Sequence, residues 1–566
     1  MRTVLAAGMA CATLVASACT SEPSRDRSPS AAGRITPPGV TTPAEVRPTP
    51  VAVVTEPAAT PLESACALPL EFLRRIRRGY YPGRSPDVMV VPREPNFFGG
   101  FESTSHSGPW DYLQDVPVVL YGPGFIRRTG PVALEREVTV ADIAPTLAEL
   151  LGTSPPPEAV GRPLTEVLVP RSERPVPPRL IVTIVWDGGG WNVLNAWPDS
   201  WPELKRLIAR GASVRATVGS SPSVTPAVHT TLGTGAYPNR HGIIGIEMRV
   251  EDGSVGVGAF RHRSPEFLRA PTLADVYDRA TGNAAQVGMF AYKSWHLGMV
   301  GHGAGFSGGD ADIAIVSNQN ENPVTNPAYY TVPGYVAGVP GLASSLRIVD
   351  LDDGELDDTW MEHQVLDDPT ERRDSPAWVL YQTRIIKEII RREGFGADEV
   401  GDLFYTNYKQ IDEVGHNWNL VNEEMREIVE YSDAAVGKLV KFLNGTVGRN
   451  RWVMVVTADH GQGPDPRSVG AWPINMGELI ADTGRRFDVA SAELVANTSP
   501  VGFWLDPGGG ATGEEVARFL LDYRLEDNLE NRDTVEDQYR TRLQEPIFEA
   551  AFVSETLDKA WQCARA

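Results

Sequence analysis

Basic residues are scarce for the size of this chain: 52 Lys and Arg face 73 Asp and Glu over 566 residues, for a net charge of −21. Affinity for a nucleic-acid backbone comes from clustered Lys and Arg that release counterions, so the deficit excludes nucleic-acid recognition. An acidic protein still handles anions where bound cations supply local positive charge. Cysteine is almost absent, with four residues in all. Cys11 and Cys19 fall in an N-terminal apolar stretch, which leaves Cys66 and Cys563. These two are too isolated for a zinc-binding pair and suggest one disulfide in an oxidising compartment. No internal repeat is evident, and no histidine follows His460.

Arg2, an apolar run from Val4 to Val15 and small residues before Cys19 read as an export signal over residues 1–19 rather than a spanning helix. "LVASAC" resembles a bacterial lipobox, so the expected product is a cell-surface lipoprotein anchored to the membrane at Cys19, with a secreted form as the alternative. Residues 20–61 are rich in Pro, Ser, Thr and Ala without apolar periodicity, and read as a linker.

Beyond it, apolar β-branched runs end in polar or glycine-rich stretches: 87–92, 116–122, 180–190, 285–290, 402–407 and 452–461. Strands of this kind are buried on both faces, as in a mostly parallel sheet. Helical patterns alternate with them. "DSWPELKRLIARG" starts from Ser200 as expected N-cap, and "NEEMREIVEYSDAAVGKLVKFLNG" and "VTVADIAPTLAELLG" carry apolar stripes that stop at glycine. The expected fold is a doubly wound α/β domain, its mostly parallel sheet covered by helices on both faces. Residues 62–168 form a front segment, 169–179 a proline-rich connector, and 180–566 the main body with a cap-like insertion at about 247–398. The acidic run "DLDDGELDD" in that insertion reads as a solvated loop, with a calcium site as the alternative.

In an open α/β sheet, ligands gather beyond the carboxyl ends of the strands. Asp187 closes one strand run, Asp459 another with His460 beside it, and Asp412 with His416 follows a third in "YKQIDEVGH". Oxygen and imidazole donors at strand ends suit a divalent ion such as zinc. Between them, "SPSVTPAVH" places Thr225 just before Pro226, where a helix N-terminus would face an anion. A threonine hydroxyl needs a metal or a base to become a nucleophile.

Taken together, "WDGGGW", "PSVTPAVHTTLGTGAYPNRHGI", "YKQIDEVGH" and "TADHG" resemble the alkaline phosphatase superfamily, most closely its type I phosphodiesterase and nucleotide pyrophosphatase branch. The resemblance implies a two-zinc phosphoester hydrolase with a phospho-threonine intermediate at Thr225. It implies Asp187, Thr225, Asp459 and His460 at one zinc, and Asp412, His416 and a further histidine at the other. That last histidine belongs near the family's C-terminus. Here "GRSPDVMVVP", "STSHSGPWDYLQDVPVVLYGPG" and "VTVADIAPTLAELLG" resemble that C-terminal part but stand at 83–152. The resemblance thus implies a circular permutation with His106 as the missing ligand and Cys66–Cys563 as a staple across the new termini.

Two departures bear on substrate. Ile246 stands where related enzymes have a phosphate-contacting Asn. Lys293 is kept as a substrate-binding residue, but Trp295 replaces the arginine of a Lys-x-Arg pair. Losing a guanidinium fork disfavours a monoester dianion, so a diester or nucleotide-like substrate is expected, with a phosphomonoesterase or a non-catalytic metal- or anion-binding surface protein as alternatives. His296 and His302 are candidate replacement donors, His229 and His241 read as structural, and the absence of cysteine near Thr225 disfavours a sulfatase.

Overall fold

The computed structural model describes residues 60–566 apart from 102, 175, 318–321, 352–353, 367 and 530–534. The expected signal, the anchor Cys19 and linker residues 20–59 lie outside the described residues. The described part opens on the helix Pro61–Cys66, where the Thr60 side chain accepts from the Glu63 N–H as a cap.

Among the described residues the main sheet has ten strands, here β1 (Asp115–Tyr121), β2 (Gly130–Val132), β3 (Leu180–Trp186), β4 (Ala212–Thr217), β5 (Val287–Ala291), β6 (Asp312–Ser317), β7 (Pro323–Val324), β8 (Tyr330–Thr331), β9 (Asp402–Tyr408) and β10 (Trp452–Ala458). They lie in the order β7-β6-β5-β9-β3-β10-β1-β4-β2, with β8 also beside β6. β6, β5, β9, β3 and β10 run parallel, and β1 is antiparallel to both neighbours. Every residue of β3, β9 and β10 is buried.

Alternation along these strands sorts the apolar side chains into two layers. Ile181, Val185, Leu403 and Val453 pack with the helices Ile143–Leu151 and Leu273–Thr281. Val182, Ile184, Phe404 and Met454 pack with Pro202–Arg210, Pro376–Glu393 and Glu423–Leu443. Helices therefore cover both faces, as the continuous apolar runs require. The stretch 247–398 supplies β5 and β6 to the sheet itself, besides covering loops.

Three local expectations are corrected. The run 87–92 forms a strand, Val88–Pro92, but in a separate antiparallel sheet between Phe548–Val553 and Gly502–Leu505. It is buried on both faces between two further apolar clusters, so apolar continuity reported burial and not strand direction. Ser200 does not cap Pro202–Arg210; the helix begins at Pro202 and the buried Asp433 carboxylate accepts from Glu203 and Leu204 N–H instead. Helix Glu423–Leu443 passes into a π-helical turn at 444–448 rather than stopping at Gly445. Cys66 and Cys563 form a disulfide, with Cα atoms 5.6 Å apart, that joins the first described helix to the last.

Candidate active site

Register builds the centre. Trp186 pairs with Tyr408 on one side and with Ala458 on the other. The next residues, Asp187, Lys409 and Asp459, therefore leave the sheet side by side at the carboxyl ends of three parallel strands. All three are buried. Gly188 follows Asp187 with φ +70°, a conformation that favours glycine, and any Cβ there would run into Gln462 and Asp412. Its N–H donates to Asp459 Oδ1 at 3.0 Å. Helix Gln410–Trp418 then carries Asp412 and His416 one turn apart on one face.

His106 arrives on the loop before helix Asp111–Gln114 and is fixed by a reciprocal pair. Its Nδ1 bonds Ser223 O at 2.8 Å, and Ser223 Oγ donates to His106 O at 2.7 Å. His416 Nδ1 likewise bonds Thr104 O at 2.6 Å, and His460 Nδ1 bonds Gly461 O at 3.1 Å. A backbone carbonyl at Nδ1 holds the proton there and leaves Nε2 to face inward as a donor to a metal. His106 Nε2 and His416 Nε2 each lie 3.4 Å from Asp412 Oδ1. His460 Nε2 faces Asp187 Oδ1 at 3.4 Å, Asp459 Oδ2 at 3.5 Å and Asp412 Oδ1 at 3.7 Å.

Thr225 is the first residue of helix Thr225–Thr234, with Val224 as N-cap, so its hydroxyl is not spent on capping. It donates to Asp187 Oδ1 at 3.4 Å. Lys409 Nζ donates to Thr225 Oγ1 at 3.2 Å, to Asp187 Oδ1 at 2.9 Å and to Asp412 Oδ2. The sequence reading passed over Lys409, although it lies inside "YKQIDEVGH" directly after a strand end. It also passed over Asn407, whose amide donates to Asp187 Oδ2 at 2.9 Å, and Gln462, whose amide donates to Asp412 Oδ1 at 3.2 Å.

The donor set fits divalent cations. Asp459 Oδ2 and His460 Nε2 are buried and have no hydrogen-bond partner, and His460 Nε2 stands 3.4–3.7 Å from three carboxylate oxygens, a spacing that suits donors around a shared ion. Three buried carboxylates face one lysine, an excess of negative charge that a dry site tolerates only with cations or protons. Among the described residues, the groups with the spacing to hold an ion include His106, Asp412 and His416, and Asp187, Asp412 and His460; Asp187 also has that spacing with His229 and His296. The electrostatics agree. Burial, with Asp187 adding to it, pushes Asp459 up to about 7. Burial lowers His460, but Asp459 and Asp187 lift it to about 9. Burial and the neighbouring His460 keep His106 well below its ordinary value, hence neutral.

Lys293 lies at the edge of the centre, its Nζ 2.5 Å from Glu413 Oε1, and the Trp295 ring stands 4.6 Å from Lys293 Nζ and 5.8 Å from Lys409 Nζ. Of the other histidines, His302 bonds Asp275 and Leu268 O and His241 bonds Thr231 and Ile243 N–H. His229 bonds Thr225 O and Asn407, so both its nitrogens are used. His296 is buried beside it without a hydrogen bond.

Fold and site together define a class: a doubly wound α/β protein with a buried carboxylate–imidazole centre, fitted to divalent cations, beside a threonine hydroxyl. The family profile for type I phosphodiesterase / nucleotide pyrophosphatase matches residues 181–565, and the chain belongs to that family of phosphoester hydrolases. A curated relative, the "Calcium-transporting ATPase" of Myroides odoratus, is 23% identical over 353 residues, 52% of this chain and 62% of the relative. The match thus spans less than two thirds of that relative's length. Among solved structures, wild-type alkaline phosphatase PafA is similar with a TM-score of 0.49 and 16% identity, over 68% of this chain and 85% of that one. Murine ectonucleotide pyrophosphatase / phosphodiesterase 5, determined as an inactive variant in complex with AMP, gives a TM-score of 0.35 and 16% identity over 66% and 78%.

Proposed function

We propose that this chain is a two-zinc phosphoester hydrolase that works through a phospho-threonine at Thr225. The observation that carries the reading is the Thr225 hydroxyl at a helix N-terminus, 3.4 Å from Asp187 and in the same centre as the unpaired Asp459 Oδ2 and His460 Nε2. His106, Asp412 and His416 would hold one ion, and Asp187, Thr225, Asp459 and His460 the other. Ions bound there supply Lewis acidity, lower the pKa of bound hydroxyls and offset charge on the reacting oxygens.

Thr225 Oγ1 attacks phosphorus in line, the bond from phosphorus to the leaving oxygen breaks, and the threonine proton ends on the departing alcohol. Water then attacks the phospho-threonine, which releases the phosphate product and restores the hydroxyl. Asp187 accepts the Thr225 hydrogen bond and so aims Oγ1. The first-turn N–H groups of helix Thr225–Thr234 have no partners within the helix and favour an anion at its start.

A diester or nucleotide-like substrate suits a site with Trp295 in place of a guanidinium, and a sequence with Ile246 in place of the expected Asn. The permuted order belongs to the same proposal. Supporting it, the family match begins at 181 and leaves the front segment unmatched, while that segment contributes β1 and His106. A lipid anchor at Cys19 rests on the lipobox-like sequence and would hold the centre at a membrane surface.

The test is zinc content together with hydrolysis of bis-p-nitrophenyl phosphate and p-nitrophenyl phosphate. Wild type is expected to bind two zinc ions and to prefer the diester; Thr225→Ala keeps the zinc and loses turnover. A zinc-loaded wild type that hydrolyses neither ester overturns the reading, and a preference for the monoester moves it to the phosphatase branch.

A further inference from the structure

Lys409 has no part in the two-metal reading, yet it occupies the middle of the centre. Register puts it there: it follows Tyr408, the partner of Trp186, and so emerges beside Asp187. Its ammonium is buried and contacts Asp187 Oδ1 and Asp412 Oδ2, one carboxylate from each group of ligands, as well as Thr225 Oγ1.

Neutralising the two aspartates does not by itself account for such a lysine. Asp187 already accepts from Asn407, and Asp412 from Gln462. With cations bound, both carboxylates are satisfied without an ammonium. The contact that remains unexplained is the one to the threonine oxygen, 3.2 Å away. The same hydroxyl donates its proton toward Asp187, so Lys409 addresses a lone pair of the attacking atom. Behind it, the Trp295 ring flanks both Lys409 and Lys293, a placement that suits cations near an aromatic ring. Trp295 thus stands where a guanidinium was expected, and positive charge reaches the centre from strand β9 instead.

Resting on the hydrolase reading above, we propose that Lys409 is a catalytic residue whose ammonium stays beside Thr225 in the metal-loaded enzyme, stabilises negative charge on its oxygen as the proton leaves, and binds one non-bridging oxygen of the phosphoryl group. In this proposal Lys409 acts as a charge and not as an acid or base, and exchanges no proton with the substrate. Its contribution is fixed charge aimed at an oxygen that becomes more negative in the transition state, where a preorganised donor is most effective.

The experiment compares zinc-loaded wild type, Lys409→Met and Lys409→Ala on bis-p-nitrophenyl phosphate, with orthovanadate as the probe of the phosphoryl site. Lys409→Met is expected to keep two zinc ions, to lose about 100-fold or more in kcat, as for removal of one oxyanion donor, and to bind vanadate more weakly. Added ammonium or methylamine is expected to restore part of the Lys409→Ala rate in a saturable way. A purely structural lysine would change stability or zinc content and leave vanadate affinity and amine rescue flat. Wild-type kcat and vanadate affinity in zinc-loaded Lys409→Met overturn the inference. Should the variants not fold, a crystal structure of wild type with zinc and vanadate decides: Lys409 Nζ within hydrogen-bond distance of both Thr225 Oγ1 and a vanadate oxygen supports it, and an ammonium displaced from both refutes it. Absence of turnover in wild type sinks the hydrolase reading, whereas turnover unaffected by Lys409→Met sinks this inference alone.

Discussion

The imidazole rings of His106 and His460 lie stacked, their centroids 3.5 Å apart and their planes 7° from parallel. One ring comes from a loop near the front of the described chain, the other from the end of strand β10. Both present Nε2 to the same aspartate, Asp412. Burial, and after it the His460 charge, keeps the His106 ring neutral.

His106→Ala therefore removes a donor from one ligand group without touching Thr225. One of two zinc ions is expected to be lost on dialysis, with affinity for that ion at least about 100-fold weaker, at the upper end of what supporting residues alone contribute, and turnover falls with it. Metal analysis of the dialysed variant checks this. An unchanged content of two ions means that the ring is structural.

The Cys66–Cys563 disulfide closes a loop of 497 residues and lies on helices away from the centre. Constraining so long a loop in the unfolded chain is worth about 2–5 kcal/mol. Cys66→Ser is expected to lower the thermal midpoint while leaving kcat at low temperature unchanged. Coincident melting curves with and without reductant would show that the link adds nothing.

His241 is buried and neutral: Ile243 N–H donates to its Nδ1, and its Nε2 bonds Thr231 Oγ1. Burial, which outweighs a backbone hydrogen bond, lowers its pKa to about 3. A base depressed in the folded state is protonated first in the unfolded chain, so stability is full above pH ~6.5 and falls as pH drops from there toward 3. The expected loss by about pH 4.5 is on the order of 3 kcal/mol for this group. Urea titrations of wild type and His241→Gln across that window read it out, and identical slopes would refute the assignment.

Asp433 caps helix Pro202–Arg210 from another helix, accepting from two N–H groups at 2.8 Å each. Asp433→Ala leaves both donors unpaired in a buried place, at an expected cost of about 2 kcal/mol. Asp433→Asn, which keeps an acceptor, costs less. Equal stabilities for the two variants would show that the cap is not what holds this end.

Much of the centre was legible because its residues sit at strand ends, and strand ends follow from apolar runs. "LIVTIVWD", "DLFYTNY" and "WVMVVTAD" announce three buried strands, and the residues just past them are placed by register alone. What the runs did not convey is which strands adjoin, or in which direction. Val88–Pro92 has the same apolar signature and went to a different, antiparallel sheet. Ser200 had the right chemistry for a cap, but the carboxylate with a better path to Glu203 and Leu204 lay on a distant helix.

By itself, then, the sequence determined the layers, the candidate ligands and the threonine, since these depend on local periodicity and on residue types within one segment. The tertiary structure alone decided the remaining neighbours: the His106 ring stacked on His460, Asn407 and Gln462 at the carboxylates, and Lys409 on the nucleophile's oxygen. A lysine inside a motif reads as surface charge until the adjoining strands, in register, place two aspartates and a hydroxyl around it.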